Sequence, residues 1–265
     1  MLSWVSMSCR NCAMSDYWGA ISRLVWLLLL VWVSVPISAS SAQPISPAEE
    51  LSVRKVVVLD PGHGGHDPGA VGPSGLAEKV VVLSVAQEIR DILSPTYEVH
   101  LTRDDDYSVD IERRTEVANH YRANIFISIH AGGAFGHQGR GTVIFYHRRR
   151  NAGSGSTPYR QYGNSWETVE KPILWEDIQG KHTAESQLLA ELVHRHLTGK
   201  LSPVDAGIRE APLLVLEGAD MPAILVEIAH LSHPAEEAQL RKPEVISAAA
   251  QAISEAIKEY FKDSP

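Results

Sequence analysis

The apolar positions of this chain change period along its length. Residues 55–60 (KVVVLD) form a continuous β-branched run, the pattern of a strand buried on both faces. A Gly- and Pro-rich loop follows at 61–75. Residues 78–93 then switch to a helical period, with Val82, Val85, Ile89 and Ile92 on one face. A second strand is expected over 97–102, and a charged amphipathic helix over 110–121 with Asp110 placed to cap it. Residues 124–130 (NIFISIH) and 141–147 read as further strands. The rhythm breaks at 148–182, a stretch of Gly, Ser, Asn and charge with Trp166 and Trp175 embedded. So long a span without a pattern of its own reads as a functional lid or an inserted segment. Regularity returns in a helix over 184–197 with Leu188, Leu192 and Val193 inward, and in short strands at 213–216 and 223–228. Pro243 opens a last helix, where its missing N–H costs nothing. There Val245, Ile246, Ala249, Ile253, Ile257 and Tyr260 keep one face apolar.

Strands alternating with helices predict an α/β fold: a three-layer sandwich with a twisted, mostly parallel central sheet flanked by helices. In such sheets sites gather outside the carboxyl ends of the strands.

Upstream of this domain, residues 24–35 (LVWLLLLVWVSV) are almost wholly apolar, preceded by Arg23 and followed by Ser38, Ala39, Ser40, Ser41 and Ala42. A positive flank, a short apolar run and a small-residue exit describe a secretory signal peptide over 1–42. The run is shorter than the roughly 20 residues of a membrane span. An uncleaved anchor is the alternative, and membrane contact is expected only through it. Residues 43–54 read as a tether and 55–262 as the folded domain. Cys9 and Cys12 precede the apolar run, so cleavage leaves a chain without cysteine that its core alone must hold. With 24 Lys and Arg against 32 Asp and Glu, the chain carries a net charge of −8. That balance argues against a nucleic-acid partner, which needs a basic footprint.

Chemistry gathers where the strands end. His63 follows the first strand in Asp60-Pro61-Gly62-His63-Gly64-Gly65, where glycines free the backbone to turn, and His130 ends the third. Glu78 stands at the start of the first helix. Two imidazoles and a carboxylate with a fourth position open are a common catalytic zinc set. Glu227 interrupts the apolar strand at 223–228. An ionised carboxylate there is costly unless it is paired or metal-linked, and desolvation raises its pKa toward the range of general acid–base work. Each residue also has a plainer reading. Either histidine can cap a turn or bond to backbone. Glu78 can simply favour a helix N-terminus, and Glu227 can ion-pair with Arg209 or Arg103. DPGHGG alone suggests a phosphate loop, but it lacks the GK[ST] ending.

Taken together, the blocks VVLDPGHGGHDPGAVGPSGLAEK, LTRDDD, ERRTEVANHYRANIFISIHAG and MPAILVEIAHLSHPAEEAQL make the chain resemble the zinc-dependent N-acetylmuramoyl-L-alanine amidases of the type-3 amidase family. The resemblance implies Zn2+ held by His63, Glu78 and His130, with Glu227 as the catalytic glutamate. It implies peptidoglycan as substrate and hydrolysis of the amide between N-acetylmuramic acid and L-alanine, in cell-wall remodelling or daughter-cell separation. Asp60 and Asn119 are expected to orient the shell around the metal. A zinc peptidase acting on stem peptides and a non-catalytic wall-binding protein are the alternatives.

Two departures stand out. Ala229-His230 occupies a place where the family often has Gly-Phe. Residues 148–182 lie where some division-associated members carry a segment that occludes the zinc, with Glu167, Glu170 or Glu176 as candidate inhibitory carboxylates. No wall-binding repeat is visible in the sequence. Targeting then falls to the catalytic domain, an uncleaved anchor or a partner such as a protein activator. The expected location is the periplasm, otherwise outside the cell or on its wall.

Overall fold

The structure is a computed structural model that describes residues 54–133, 139–147, 159–162, 165–168, 175–201 and 205–263. The signal segment expected at 1–42 lies outside the described residues, as does the tether up to residue 53.

From the N-terminus, β1 (Val56–Pro61) leads to α1 (Glu78–Leu93), β2 (Glu98–Leu101), α2 (Ile111–His120) and β3 (Ile125–His130). Next come β4 (Thr142–His147) and an antiparallel pair, β5 (Tyr159–Tyr162) and β6 (Ser165–Thr168). After a 3-10 segment at Trp175–His182 follow α3 (Thr183–Lys200), β7 (Asp205–Ala211) and β8 (Ala223–Glu227). The chain ends in α4 (Pro234–Leu240) and α5 (Pro243–Asp263). Six strands form one sheet in the order β2-β1-β3-β8-β4-β7. β2, β1, β3 and β8 are mutually parallel, while β4 and β7 run parallel to each other and against them. The sheet is therefore mixed, with its parallel majority at one side.

Alternation along the strands sorts side chains to two faces. Val57, Leu59, Ile125, Ile127, Ile129, Ile224 and Val226 pack on one face beneath α1, α3, α4 and α5 in the larger core. Val58, Phe126, Ala223 and Leu225 point to the other face, covered by Ala118 of α2 and by Val215, Leu216, Ala219 and Met221. By the same alternation Asp60, Ser128, His130 and Glu227 belong to this thinner side. The registers set Asp60 beside Ser128 and His130 beside Glu227. No helix among the described residues is long and apolar enough to cross a membrane.

Several expectations fail locally. Residues 213–216 are not a strand: Leu214–Leu216 is a 3-10 turn whose Val215 and Leu216 bury against the thinner face, which explains the apolar run. The strand is β7, whose sequence DAGIREA gives no apolar signal because it is an edge strand with one neighbour. Asp110 stands at the N-cap of α2 but makes no side-chain cap bond. On α1 the buried stripe takes in Val81 and Leu93 and leaves Ile92 half-buried.

On α3, Leu188 is 43% exposed while Ser186, Leu189, Ala190, Val193 and Leu197 form the buried stripe. The Leu188-Leu189 pair fits either of two registers, and the sequence cannot choose between residues about 100° apart on a helix. Leu188→Gln should therefore change stability by no more than about 0.5 kcal/mol in urea denaturation. A loss above about 2 kcal/mol would place Leu188 in the core instead.

Candidate metal centre

The loop after β1 is fixed by two buried arginines. Arg103, with no exposed surface, donates to the carbonyls of Pro61 (2.9 Å), Gly62 (2.8 Å) and Lys79 (3.0 Å). Arg114 donates to Pro61 O (3.1 Å), His63 O (3.0 Å) and Asp60 Oδ1 (2.6 Å). Asp60 also accepts from Thr102 Oγ1 (2.5 Å) and Ser128 Oγ (2.7 Å), the full set of partners a buried charge needs. Asp106 accepts from Gly65 N–H and Lys79 Nζ, each at 2.7 Å. These contacts account for the LTRDDD and ERR blocks. They also hold His63 at φ 61°, a left-handed conformation uncommon outside glycine.

His63, Glu78 and His130 converge, with one ligand atom from each lying within 4.8 Å of the others. Glu78, 3% exposed, places Oε2 3.1 Å from His63 Nε2 and Oε1 2.9 Å from His130 Nδ1. Its oxygens also accept from Ala70 N–H (2.8 Å) and Ala131 N–H (2.9 Å). Two glycines make the approach possible. A Cβ on Gly62 would lie 2.3 Å from the His130 ring, and one on Gly69 2.6 Å from His63 Cδ2. Burial alone would raise the Glu78 carboxyl, but hydrogen bonds from His130 and His63 and their charge hold it well below the usual range. Burial likewise opposes charge on His63, yet the hydrogen bonds and charges of Glu78 and Asp67 raise it to about 9.

The donor set fits a divalent metal of the zinc type. It offers two ring nitrogens and a carboxylate at separations near the ~3.3 Å edge of a tetrahedron with ~2.0–2.1 Å bonds. Asp67 Oδ2 accepts from His63 Nδ1 at 2.8 Å, which fixes the tautomer that leaves Nε2 as ligand. The sequence reading missed Asp67, although a carboxylate four residues after a loop histidine was the available signal. Asn119 is not at this centre. It bonds Gly218 O and Asp220 N–H, fastening the turn that enters β8. Asp60 touches none of the three residues and acts on the His63 loop through Arg114.

Glu227 stands beside His130 in register. The residue is partly exposed; its carboxylate takes a backbone hydrogen bond from Gly132, while its buried Oε2 has no geometrically good hydrogen-bond partner among the described residues. Burial, reinforced by the Glu78 charge and opposed by His130, pushes its carboxyl up to about 7. Neither suggested arginine neutralises it: Arg103 is spent on backbone carbonyls, and Arg209 reaches Ala206 O at 3.4 Å. A groove of about 570 Å³ opens from His63 and His130 along Val109, Ile111, Leu213 and Leu214.

Residues 57–259 match the family described as N-acetylmuramoyl-L-alanine amidase. The chain belongs to this amidase family. Among its amidase relatives, AmiC of Neisseria meningitidis is 36% identical over 224 residues, covering 80% of this chain. This chain spans about half (54%) of that relative's length. AmiA of Escherichia coli is 31% identical over 235 residues, covering 81% of this chain and 78% of AmiA. The solved catalytic domain of the amidase CwlV from Bacillus (Paenibacillus) polymyxa shares the fold with TM-score 0.62 and 32% identity. The match covers 79% of this chain and 99% of CwlV.

Two further features of this chain concern residues singled out in the sequence. His230 donates Nδ1–H to Gly141 O (3.1 Å), and its Cδ2 lies with Glu227 Oε2 around Gly132, where an added Cβ would meet them at 3.4 and 2.8 Å. The Ala229-His230 pair thus places an imidazole beside Glu227. The other feature is the direction of β4. Val143 pairs with Glu227 and Tyr146 with Ile224, so β4 runs away from the end of the sheet that carries His130 and Glu227. At the opposite end Gln179 donates to Ala219 O (3.1 Å) and Met221 O (2.6 Å) ahead of β8. The side chains of Glu167, Glu170 and Glu176 lie outside the described residues.

Proposed function

We propose that this chain is a zinc-dependent amidase that hydrolyses the amide between N-acetylmuramic acid and L-alanine in peptidoglycan, in wall remodelling or daughter-cell separation. The observation that carries the reading is the juxtaposition of the His63–Glu78–His130 set with the largely buried Glu227 carboxylate one strand away, which no cation among the described residues pairs. In this reading the four residues would take the roles expected from the sequence. His63 Nε2, His130 Nδ1 and the Glu78 carboxylate would hold the metal, with Asp67 orienting His63. Bound zinc supplies a Lewis acid for the scissile carbonyl and lowers the pKa of its water to about 7. Glu227, poised near 7, accepts the proton of the attacking water and passes it to the departing L-alanine amine. The groove beside His63 and His130 would receive the stem peptide along its apolar wall.

Export belongs to the same proposal. Removal of residues 1–42 would deliver the domain to the periplasm or the cell surface. Segment 148–182 is the part through which inhibition, or relief by a protein activator, would act.

The test is to incubate residues 43–265 with purified peptidoglycan, with and without chelator, and to identify the released ends by mass spectrometry. Stem peptides beginning with L-alanine, lost on chelation and restored by zinc, are the expected products. Cuts within the peptide would replace the amidase with a stem-peptide peptidase. If silence on intact protein gives way to release once residues 151–173 are replaced by a short Gly/Ser link, the insertion is inhibitory. Silence from that folded, zinc-loaded variant as well would leave a wall-binding role.

A further inference from the structure

Outside the metal set, α4 carries an acidic side chain, Glu237, that is only 1% exposed. Its carboxylate accepts from Ser74 N–H at both oxygens (3.1 and 2.8 Å) and from Leu76 N–H at 3.1 Å. Arg241 Nη2 donates to Glu237 Oε1 at 3.0 Å and to Ser74 O at 2.8 Å. Glu237 therefore grips the backbone of a loop far from it in sequence. That loop is closed by Gly72 N–H to Leu76 O and Gly75 N–H to Gly72 O, both 2.9 Å. Gly72 lies against the carboxyl so closely that a Cβ would stand 2.3 Å from Glu237 Cδ. Pro73, Ser74 and Gly75 at the tip are exposed, so apolar burial does not pin them.

The base of the same loop is the bridge between Val71 and Ala77, and the residues flanking that bridge are Ala70 and Glu78. Ala70 N–H donates to Glu78 Oε2 and Glu78 N–H donates to Ala70 O, both at 2.8 Å. The loop's tip is held by one carboxylate, and its base presents another to the two histidines. Burying a charged group to hold an exposed loop is expensive unless its donors are fixed in place, and here four bonds from three residues do that. The grip crosses from the helix after Glu227 to the segment before Glu78, so it ties together the two halves of the candidate centre.

We propose that Glu237 is a positioning residue for the metal centre: by bonding the backbone at Ser74 and Leu76 it fixes the loop that aims the Glu78 carboxylate. The assignment rests on the proposed metal set but not on the substrate. A purely structural Glu237 would lower stability alone, whereas a positioning Glu237 sets the affinity and geometry of the metal.

The experiment measures Zn2+ affinity by competition with a chromophoric chelator, and the visible spectrum of the Co2+ form. It compares unaltered protein with Glu237→Gln, Gly72→Ala and Arg241→Ala. Glu237→Gln and Gly72→Ala are expected to weaken Zn2+ by about 10–100-fold and to change the Co2+ bands, with a smaller loss for Arg241→Ala. Zn2+ affinity within about twofold of the unaltered protein, with an unchanged Co2+ spectrum, overturns the assignment whatever happens to the melting temperature. Should Glu237→Gln fail to fold, Gly72→Ala and Arg241→Ala decide by the same criterion. Protein that binds Zn2+ but releases no stem peptide, even with residues 151–173 replaced, sinks the amidase and leaves the Glu237 assignment standing. Unaltered protein that takes up no metal overturns both.

Discussion

Glu227→Gln is expected to cut peptidoglycan hydrolysis by about 10²–10⁴-fold while making the metal-free protein more stable. The two effects share one cause. Folding raises the Glu227 carboxyl from 4.5 to about 7, chiefly by burial, which the His130 charge and a backbone hydrogen bond from Gly132 offset only in part. An acid whose folded pKa is raised binds more protons folded than unfolded. Its ionisation therefore removes stability as pH climbs through the window from 4.5 to 7, and the penalty is complete above it. At 1.36 kcal/mol per pKa unit, that penalty is on the order of 3 kcal/mol. Glutamine stays neutral and escapes it. Urea unfolding of chelated protein should show the variant ahead by roughly that amount at pH 8 and level with the unaltered protein near pH 4.5. A Glu227 that served only structure, as a satisfied ion pair, predicts the opposite sign at pH 8. A variant both less stable there and within about tenfold of full activity would remove Glu227 from the chemistry.

Metal uptake should release a proton and tighten with pH. Without metal, His63 is raised to about 9 by Glu78 and Asp67 against the pull of burial, so it is mostly protonated at neutral pH. A metal needs the lone pair of its Nε2. Apparent Zn2+ affinity should therefore rise about tenfold per pH unit up to about 9 and then level off. In the chelated protein the linkage runs the other way. The charged His63 with its carboxylates stabilises the fold fully below the ordinary histidine value of 6.5, and that contribution is lost as pH rises through about 9. Chelator competition between pH 6.5 and 9, with an indicator dye to count protons, tests both statements. A flat affinity over that range would mean that His63 is not a ligand or is already neutral.

How much of this was legible in the sequence depends on which residues carried the signal. β1 and β3 were readable because they are buried on both faces, which leaves continuous apolar runs ending at Pro61 and His130. β7 was not, because an edge strand with one neighbour can afford Asp205, Arg209 and Glu210. The short helix α4 was missed too. It is capped by His233, whose Nδ1 accepts from Ala235 N–H, and a histidine cap gives no pattern to read.

At the site, His63, His130 and Glu227 stood out because they break strand ends that physics would otherwise keep apolar or plain. Glu78 looked like an ordinary helix-start acid, and only the fold turns it toward the two rings. Asp67, Arg103 and Arg114 act through contacts that cross the chain, which no local pattern reports. Direction was equally hidden. Nothing in residues 141–147 says that β4 runs against β8 and ends, at His147, away from the end of the sheet that carries His130 and Glu227.

The unequal clothing of the sheet bears on what can reach the metal. Among the described residues the larger core lies under α1, α3, α4 and α5, while the face bearing His130 and Glu227 is covered by α2 and one short turn. A small soluble metabolite could be drawn into a closed cage. A cross-linked mesh cannot thread through a tunnel, because its strands have no loose ends to offer. Under the proposed function, a centre on the face that the described residues cover lightly would meet such a lattice edge-on and cut a tether still fastened at both ends.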